Sequence, residues 1–229
     1  MKKTNAFIVI FLLAATTSCY KSGSSDKSRT SQTPAQTSAA VSPIADKSDA
    51  PTKPTEKPVS NGGELEKTVT ELEEAVKKDP KNQQAYFQLG VNYQALKNEE
   101  KAVGAYKKAV EVKPDYAEAN YALGTIYVKK KNYETALPYM QKAAKVKYTS
   151  AEYLVALGDN YRALNRCNYA MPPYGNSLGF DDKNPAAYYG MGLCYIELKN
   201  KLAAASQLRP LEKLDKKLAK DLEEKIAAK

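Results

Sequence analysis

The chain has 229 residues, and 35 Lys and Arg side chains against 26 Asp and Glu give it a formal net charge of +9. It contains no histidine, which excludes a Ser-His triad and removes both the most common general base and the most common zinc ligand. Because no glycine-rich phosphate loop is visible either, we expect no catalysis, no metal site and no cofactor.

The first 18 residues have the features of a secretory signal peptide. Two lysines precede an apolar run over residues 6–15, which is too short to span a bilayer as a helix, and small polar residues follow. The sequence Thr16-Thr17-Ser18-Cys19 resembles the lipobox of bacterial lipoproteins. This resemblance implies that Cys19 carries a lipid such as palmitate and anchors the chain to a membrane. An ordinary signal peptide followed by an incidental cysteine is the alternative.

Residues 19–63 consist mainly of Ser, Thr, Pro, Ala and Lys. A stretch with so few large apolar side chains cannot bury enough surface to offset its ordering entropy, so we predict a disordered tether. As a flexible coil it would average roughly 35 to 40 Å from end to end. A spacer without any mechanical role would have the same composition.

The remaining residues, 64–229, carry a pattern that returns every 34 residues. A Leu-Gly or Met-Gly pair followed by Tyr occurs at Leu89, Gly90 and Tyr93, at Leu123, Gly124 and Tyr127, at Leu157, Gly158 and Tyr161, and at Met191, Gly192 and Tyr195. Three more columns keep this register: Ala102, Ala136, Ala170 and Ala204; Tyr106, Met140, Tyr174 and Leu208; Ala109, Ala143, Ser177 and Leu211. Since residues three and four apart share a helix face, each copy predicts a helical hairpin with a short polar turn. The copies cover residues 83–116, 117–150, 151–184 and 185–218, and hairpins repeated at this interval stack into a solenoid.

Half a repeat precedes the first copy. Residues 64–82 place Leu72, Ala75 and Pro80 in the columns that belong to a second helix. This segment therefore predicts a helix that caps the first hairpin and turns its charged face to water.

An amphipathic helix is predicted after the last copy. Leu214, Leu218, Leu222 and Ile226 recur every fourth residue opposite charged side chains, which is typical of a capping helix, here running to residue 229. A membrane-surface helix and a docking helix for a partner are the alternatives. Pro210 should kink or end the helix that precedes this segment.

The 34-residue pattern resembles that of the tetratricopeptide repeat family. The copy at residues 83–116 has the residue types of the family pattern at Tyr86, Leu89, Gly90, Tyr93, Ala102, Tyr106, Ala109 and Pro114. The later copies depart from it where Asn120 and Leu154 replace the first aromatic, Tyr148 and Asp182 replace the Pro, and Ser177 replaces an Ala. The resemblance implies an all-α fold, a right-handed superhelical solenoid of hairpins with an N-terminal half-repeat and a C-terminal capping helix.

In this family the first helices of successive hairpins line a concave groove that binds protein partners. The resemblance places in that groove Phe87, Val91, Gln94, Tyr121, Thr125, Val128, Val155, Asp159, Arg162 and Tyr189, with Leu193 and Ile196. This mostly aromatic and aliphatic lining suits an extended or helical apolar segment of a partner protein. The Lys and Asn pairs with which some members clamp a terminal carboxylate are missing. Alternatively, Tyr121 and Tyr189 pack between hairpins, and Leu193 and Ile196 lie under the terminal helix.

Two cysteines, Cys167 and Cys194, fall at the same end of neighbouring predicted hairpins. In an oxidising compartment they could form a disulfide that closes a loop of 27 residues. The alternative is a pair of small buried residues in the reduced form.

These features predict a non-enzymatic adaptor that is lipid-anchored on the periplasmic side of a bacterial envelope and helps to assemble a protein complex. Tyr20, rather than the Asp that retains lipoproteins in some inner membranes, follows Cys19 and favours the outer membrane. The positive charge would suit an anionic membrane surface or an acidic partner. Alternatively, it reflects only a solvated, lysine-rich surface. A nucleic-acid partner is not expected for an exported chain. The alternative function is a freely periplasmic or secreted protein that binds a small apolar ligand or a cell-wall fragment.

Overall fold

The computed structural model describes residues 62–228, and this part of the chain consists of α-helices without a β-strand. The helices are α1 Gly62–Lys78, α2 Gln83–Ala95, α3 Glu99–Val112, α4 Ala117–Lys129, α5 Tyr133–Val146, α6 Ala151–Ala163, α7 Cys167–Phe180, α8 Pro185–Glu197, α9 Lys201–Ser206, α10 Leu208–Leu214 and α11 Lys216–Ala227. The pairs α2 and α3, α4 and α5, and α6 and α7 form consecutive hairpins. The predicted all-α solenoid is therefore confirmed.

Several predictions concern residues outside this range. The signal peptide at residues 1–18, the lipid site at Cys19 and the tether up to residue 61 lie outside the described residues. Helix α1 begins at Gly62, so residues 62 and 63, which we assigned to the tether, belong to the first helix. None of the helices within residues 62–228 is long and apolar enough to cross a bilayer.

One turn geometry joins the two helices of each hairpin. After α2, Lys97 takes a left-handed conformation with φ of 57°, and the N–H of Asn98 donates to the carbonyl of Tyr93. This Schellman arrangement satisfies a carbonyl at the end of the helix. The Asn98 side chain then accepts from the N–H of Lys101 and caps α3. Left-handed residues recur at the same place in the other hairpins, at Lys131, Asn165 and Lys199.

In each of the first three hairpins, a large side chain from the second helix packs on the glycine of the first helix. A Cβ atom added to Gly124 would lie 2.9 Å from the Met140 side chain, and one added to Gly158 would lie 2.6 Å from the ring of Tyr174. Only glycine allows the helices to approach this closely. Tyr106 covers Gly90 in the same way. These contacts explain why the glycine column and the column of Tyr106, Met140 and Tyr174 keep a constant separation in the sequence.

Helix α1 covers the open side of the first hairpin. Val69 is buried, and Leu72 and Val76 pack against the cluster that α2 and α3 form. The hydroxyl of Tyr93 donates to the Glu73 carboxylate of α1, and burial together with this carboxylate raises the pKa of Tyr93 to about 12. The half-repeat is thus held by an apolar stripe and by a buried phenol.

The second helix of the fourth hairpin is broken. Helix α9 ends at Ser206 and α10 begins at Leu208, two residues before Pro210. Proline has no N–H to donate to the carbonyl four residues earlier, so the break is the effect expected of Pro210.

Helix α11 supplies the contact that the broken helix does not make. A Cβ atom on Gly192 would meet the side chain of Leu222 at 2.5 Å, whereas our register had assigned that place to Leu208. Leu214, which we placed in the terminal helix, ends α10, and Asp215 caps α11 by accepting from two backbone N–H groups. The terminal helix therefore packs into the fourth hairpin as its second helix would.

Candidate concave binding site

On α2, the first helix of the predicted groove, two of the three predicted residues contact core side chains instead of lying free at the surface. The ring of Phe87 packs against those of Tyr106 and Tyr116, with centroids 5.6 and 5.4 Å apart. Gln94 accepts a hydrogen bond of 2.5 Å from the Tyr106 hydroxyl. Of the three residues predicted on α2, only Val91 is exposed, so this end of the groove offers a small apolar surface.

Helix α4 contributes a stacked pair of tyrosines. Tyr121 stacks on Tyr153 of α6 with ring centroids 4.4 Å apart and planes 10° apart. Val128 packs against the same cluster, and the Thr125 hydroxyl donates to the carbonyl of Ala122. Tyr121 therefore packs between hairpins, as one of the two sequence interpretations has it, and its ring also lines a pocket.

A pocket of about 430 Å³ opens beside this stack. Its lining residues come from α4, α6, the loop after α7 and the start of α8: Tyr121, Ala151, Glu152, Val155, Ala156, Asp159, Asp181, Asn184 and Ala186. Tyr121, Val155 and Asp159 are among the predicted groove residues. Glu152, Asp181 and Asn184 were not predicted, because the family pattern assigns only positions inside the first helices and gives no position to a loop residue.

The pocket is acidic. Glu152, Asp159 and Asp181 line it, and no residue of its lining in the described chain is a cation. Burial, together with Glu152, raises the pKa of Tyr121 well above its ordinary value, and burial beside Glu118 and Glu152 raises the pKa of Tyr153 to about 12. The tyrosines are thus neutral hydrogen-bonding groups beside carboxylates, and the site favours a positively charged ligand group. We had expected a mostly aromatic and aliphatic lining, whereas three carboxylates line this pocket.

Asp159 is the most constrained of the three carboxylates. It accepts a hydrogen bond of 2.7 Å from the Tyr174 hydroxyl, and the guanidinium of Arg162 lies 3.8 Å away. Burial raises the pKa of Asp159, while Tyr174 and Arg162 act against this rise. The Nε atom of Arg162 is buried and has no hydrogen-bond partner within residues 62–228. The predicted groove residues Asp159 and Arg162 therefore lie one turn apart on α6, and Tyr174 of the second helix contacts Asp159.

The raised pKa of Asp159 predicts a pH-dependent stability. Because the folded chain holds this proton more tightly than the unfolded chain, the stabilisation is complete below the ordinary carboxyl pKa of about 4 and is lost as pH rises through the folded value. Asp159→Asn keeps an acceptor for Tyr174 without the charge, so we expect the variant to gain stability relative to the wild type across this window. Urea unfolding at a series of pH values measures the difference.

Tyr174→Phe is the matched variant for this experiment. It removes a hydrogen bond that lowers the pKa of Asp159, so the loss of stability should extend to higher pH than in the wild type. Parallel curves of unfolding free energy against pH for the wild type and Asp159→Asn would contradict the assignment.

The fourth part of the predicted groove is covered. Tyr189, Leu193 and Ile196 pack against the cluster centred on Leu211 and Leu222, and the Tyr189 hydroxyl donates to Asp221 of α11. The open groove therefore ends at the start of α8, and the C-terminal helix occupies the surface that follows.

The cysteine pair is not part of the pocket lining. Cys167 and Cys194 are joined by a disulfide with their Cα atoms 5.2 Å apart, and both are buried. The bond links the first turn of α7 to α8. Within residues 62–228, no group of three or more Asp, Glu or Cys side chains could hold a metal ion.

The chain is similar to known repeat proteins. A TPR repeat model matches residues 95–131, and a tetratricopeptide repeat model matches residues 117–149. No curated protein matches the chain. Crystal structures of similar fold include MamA, at 23% identity and a TM-score of 0.59, where the match covers 73% of this chain and 93% of MamA.

Two further structures show the same fold. YrrB, described as a TPR protein with an unusual peptide-binding site, has 23% identity and a TM-score of 0.65 over 71% of this chain and 84% of its own. MamA from Desulfovibrio magneticus RS-1 has 19% identity and a TM-score of 0.60 over 68% of this chain and 88% of its own. With the stacked hairpins, these matches show that the chain has the fold of tetratricopeptide repeat proteins, and the repeat models identify repeats of that kind within residues 95–149.

Proposed function

We propose that this protein is a membrane-anchored, non-enzymatic adaptor that holds a cationic segment of a partner protein in its concave pocket. The observation that carries the proposal is the convergence of Glu152, Asp159 and Asp181 around a pocket whose wall is Tyr121. A tetratricopeptide repeat fold supports a role in protein interaction, and the similar YrrB is a TPR protein with a peptide-binding site.

The pocket suits a Lys or Arg side chain that extends from a peptide backbone. Its aliphatic stem would pack on Val155 and on the ring of Tyr121, and its charged end would meet the carboxylates. Tyr121 also offers a ring face to a cation. Val91 on α2 provides apolar surface for a neighbouring part of the same segment.

The anchoring part of the proposal rests on the lipobox-like sequence at Thr16 to Cys19 and on the composition of residues 20–61. A lipid on Cys19 and a long polar spacer would hold the binding domain near one membrane surface while it searches for its partner. Tethering at one surface raises the effective concentration of a partner at that same surface. An envelope complex that needs assembly at the membrane is the context that such a layout serves.

The test is crosslinking in the native cells followed by mass spectrometry. Glu152→Lys with Asp181→Lys reverses two exposed charges at the pocket, and we expect recovery of the dominant crosslinked protein to fall about tenfold or more. Glu212→Lys with Glu223→Lys makes the same charge change at exposed positions on α10 and α11 and should leave recovery unchanged. Equal recovery from both double variants would overturn the pocket assignment.

A separate variant tests the lipid anchor. Cys19→Ala should abolish palmitate labelling and release the protein from the membrane fraction. Persistent membrane association without Cys19 would overturn the anchor while leaving the pocket assignment standing.

A further inference from the structure

A second cleft opens on the outer face of the array, between α5 and α7. It has a volume of about 770 Å³, and α6 forms its floor through Leu154, Leu157 and Tyr161. The concave pocket lies among first helices, whereas this cleft lies between two second helices. It is therefore separate from the site of the proposed function.

Aromatic pairs close both ends of this outer cleft. Tyr161 stacks on Tyr169 at one end, with ring centroids 5.8 Å apart, and Tyr148 meets Phe180 edge to face at the other, with centroids 6.2 Å apart. Tyr148, Tyr169 and Phe180 are 64%, 65% and 51% exposed. Exposed aromatic rings clustered around an apolar cleft are typical of interaction sites rather than of ordinary solvated surface.

Helix α7 differs from the other second helices on the side that faces this cleft. At its positions Gly175, Asn176 and Gly179, helix α3 carries Lys107, Lys108 and Glu111, and α5 carries Gln141, Lys142 and Lys145. The whole of α7 has no charged residue. A second helix that only faced water would be expected to keep the charged pattern of its neighbours.

The fold itself does not require these glycines. A Cβ atom added to Gly175 or Gly179 would meet nothing within 4 Å, unlike one added to Gly124 or Gly158. Glycine is unfavourable inside a helix, and α7 also contains Pro172 and Pro173. Small residues here keep the cleft open and let another backbone approach α7 closely.

The charge at the cleft is one-sided. Lys145 lines it and Lys142 is exposed one turn earlier on the same helix, while α7 opposite is uncharged. Neither lysine makes an ion pair within residues 62–228. Asp181, the first acidic residue after α7, lines the concave pocket instead. An occupant that complements this surface is apolar along α7 and carries a carboxylate on its α5 side.

We propose that the outer cleft binds an extended segment of a partner protein that combines apolar or proline side chains with an acidic residue. The distance along α7 from Tyr169 to Phe180 is about 16 Å, which an extended strand covers with about five residues. The aromatic pairs hold the apolar side chains at either end, and Lys145 pairs with the carboxylate. The protein thus has two faces for two segments of opposite charge.

The test uses a display library of random 12-residue peptides selected on the immobilised full-length protein. We expect an enriched consensus with apolar or proline residues beside an Asp or Glu. Gly175→Arg with Gly179→Arg should weaken binding of these peptides at least tenfold, and Lys145→Glu about fivefold. Since an added Cβ meets open space at both glycines, the double variant is expected to fold.

The control is Gly104→Arg on α3, another helical glycine whose added Cβ meets nothing within 4 Å. It should bind the enriched peptides as the wild type does, and so should the concave variant Glu152→Lys with Asp181→Lys. Failure of this inference is thereby distinguished from failure of the proposed function.

Three outcomes would overturn the inference. The first is that peptides are not enriched, or are enriched without an acidic residue. The second is that the enriched peptides bind Gly175→Arg with Gly179→Arg as tightly as they bind the wild type. The third is sedimentation that shows a dimer which this double variant dissociates, because the cleft would then belong to a second copy of the chain.

Discussion

Replacing Tyr174 by alanine is expected to lower the free energy of unfolding by about 3 to 5 kcal/mol, as for other large buried aromatic residues. Its side chain is fully buried, and its ring lies against Gly158 of α6 and Gly190 of α8. Tyr174 therefore joins three helices from two successive repeats. Because a repeat array is stabilised by the contacts between neighbouring repeats, loss of this ring weakens both its own hairpin and the junction with the next.

The loss includes a polar contribution. Without the Tyr174 hydroxyl, the partly buried Asp159 carboxylate loses its hydrogen bond and keeps only the more distant Arg162. Tyr174→Phe, which removes the hydroxyl alone, separates this part from the loss of packing. We expect it to cost about 1 to 2 kcal/mol, well below the alanine variant.

Urea unfolding and thermal melts followed by circular dichroism measure these effects. For a domain of this size the alanine variant should melt about 10 °C below the wild type. Tyr169→Ala is the matched control, since Tyr169 lies on the same helix and is mostly exposed, and it should change stability by less than about 1 kcal/mol. Similar losses for Tyr174→Ala and Tyr169→Ala would show that Tyr174 does not hold the repeats together.

The repeat fold could be predicted because its contacts recur at a fixed interval. Gly90 with Tyr106, Gly124 with Met140 and Gly158 with Tyr174 are the same contact made three times, and a periodic contact leaves a periodic trace in the sequence. The turns follow for a similar reason, since Asn98 caps a helix after a left-handed residue in a geometry that few residue types favour.

The C-terminal end was predicted only in part: the sequence predicts the break near Pro210 and a capping helix, but not which residue covers Gly192. The register places Leu208 on Gly192, but the break before Pro210 ends the regular helix, and Leu222 of α11 makes the contact. Because α11 makes this contact only once and outside the 34-residue register, the sequence pattern does not indicate it. The same event covers Tyr189, which the family resemblance had placed in the groove.

The acidic character of the concave pocket could be predicted only in part. Asp159 is a groove position by register, whereas Asp181 belongs to a loop and reaches the pocket only because α7 ends where it does. The outer cleft depends on glycines that face open space, and composition alone does not distinguish these from the glycines that the helix packing requires. Neither site could therefore be predicted without knowing how the neighbouring repeats are placed against each other.

Reduction of the Cys167–Cys194 disulfide is expected to lower the free energy of unfolding by about 3.5 kcal/mol, the loop-entropy value for a closed loop of this length. The bond spans 27 positions of the sequence and joins α7 to α8, so it crosses the boundary between the third and fourth hairpins. In an array whose repeats contact only their neighbours, such a bond keeps the C-terminal helices from separating and unfolding independently. Hydrogen exchange of α8 to α11 should therefore increase on reduction more than that of α2 to α5.

Urea unfolding with and without a thiol-free reductant tests this effect, and alkylation followed by mass measurement counts the thiols released. The double variant Cys167→Ala with Cys194→Ala is the control, because its stability should not respond to the reductant. It also separates the covalent link from the packing of two buried side chains, since alanine retains part of their volume. If the wild type released both thiols and kept its unfolding midpoint, the bond would contribute nothing to stability, and the junction would rest on Tyr174 and its neighbours alone.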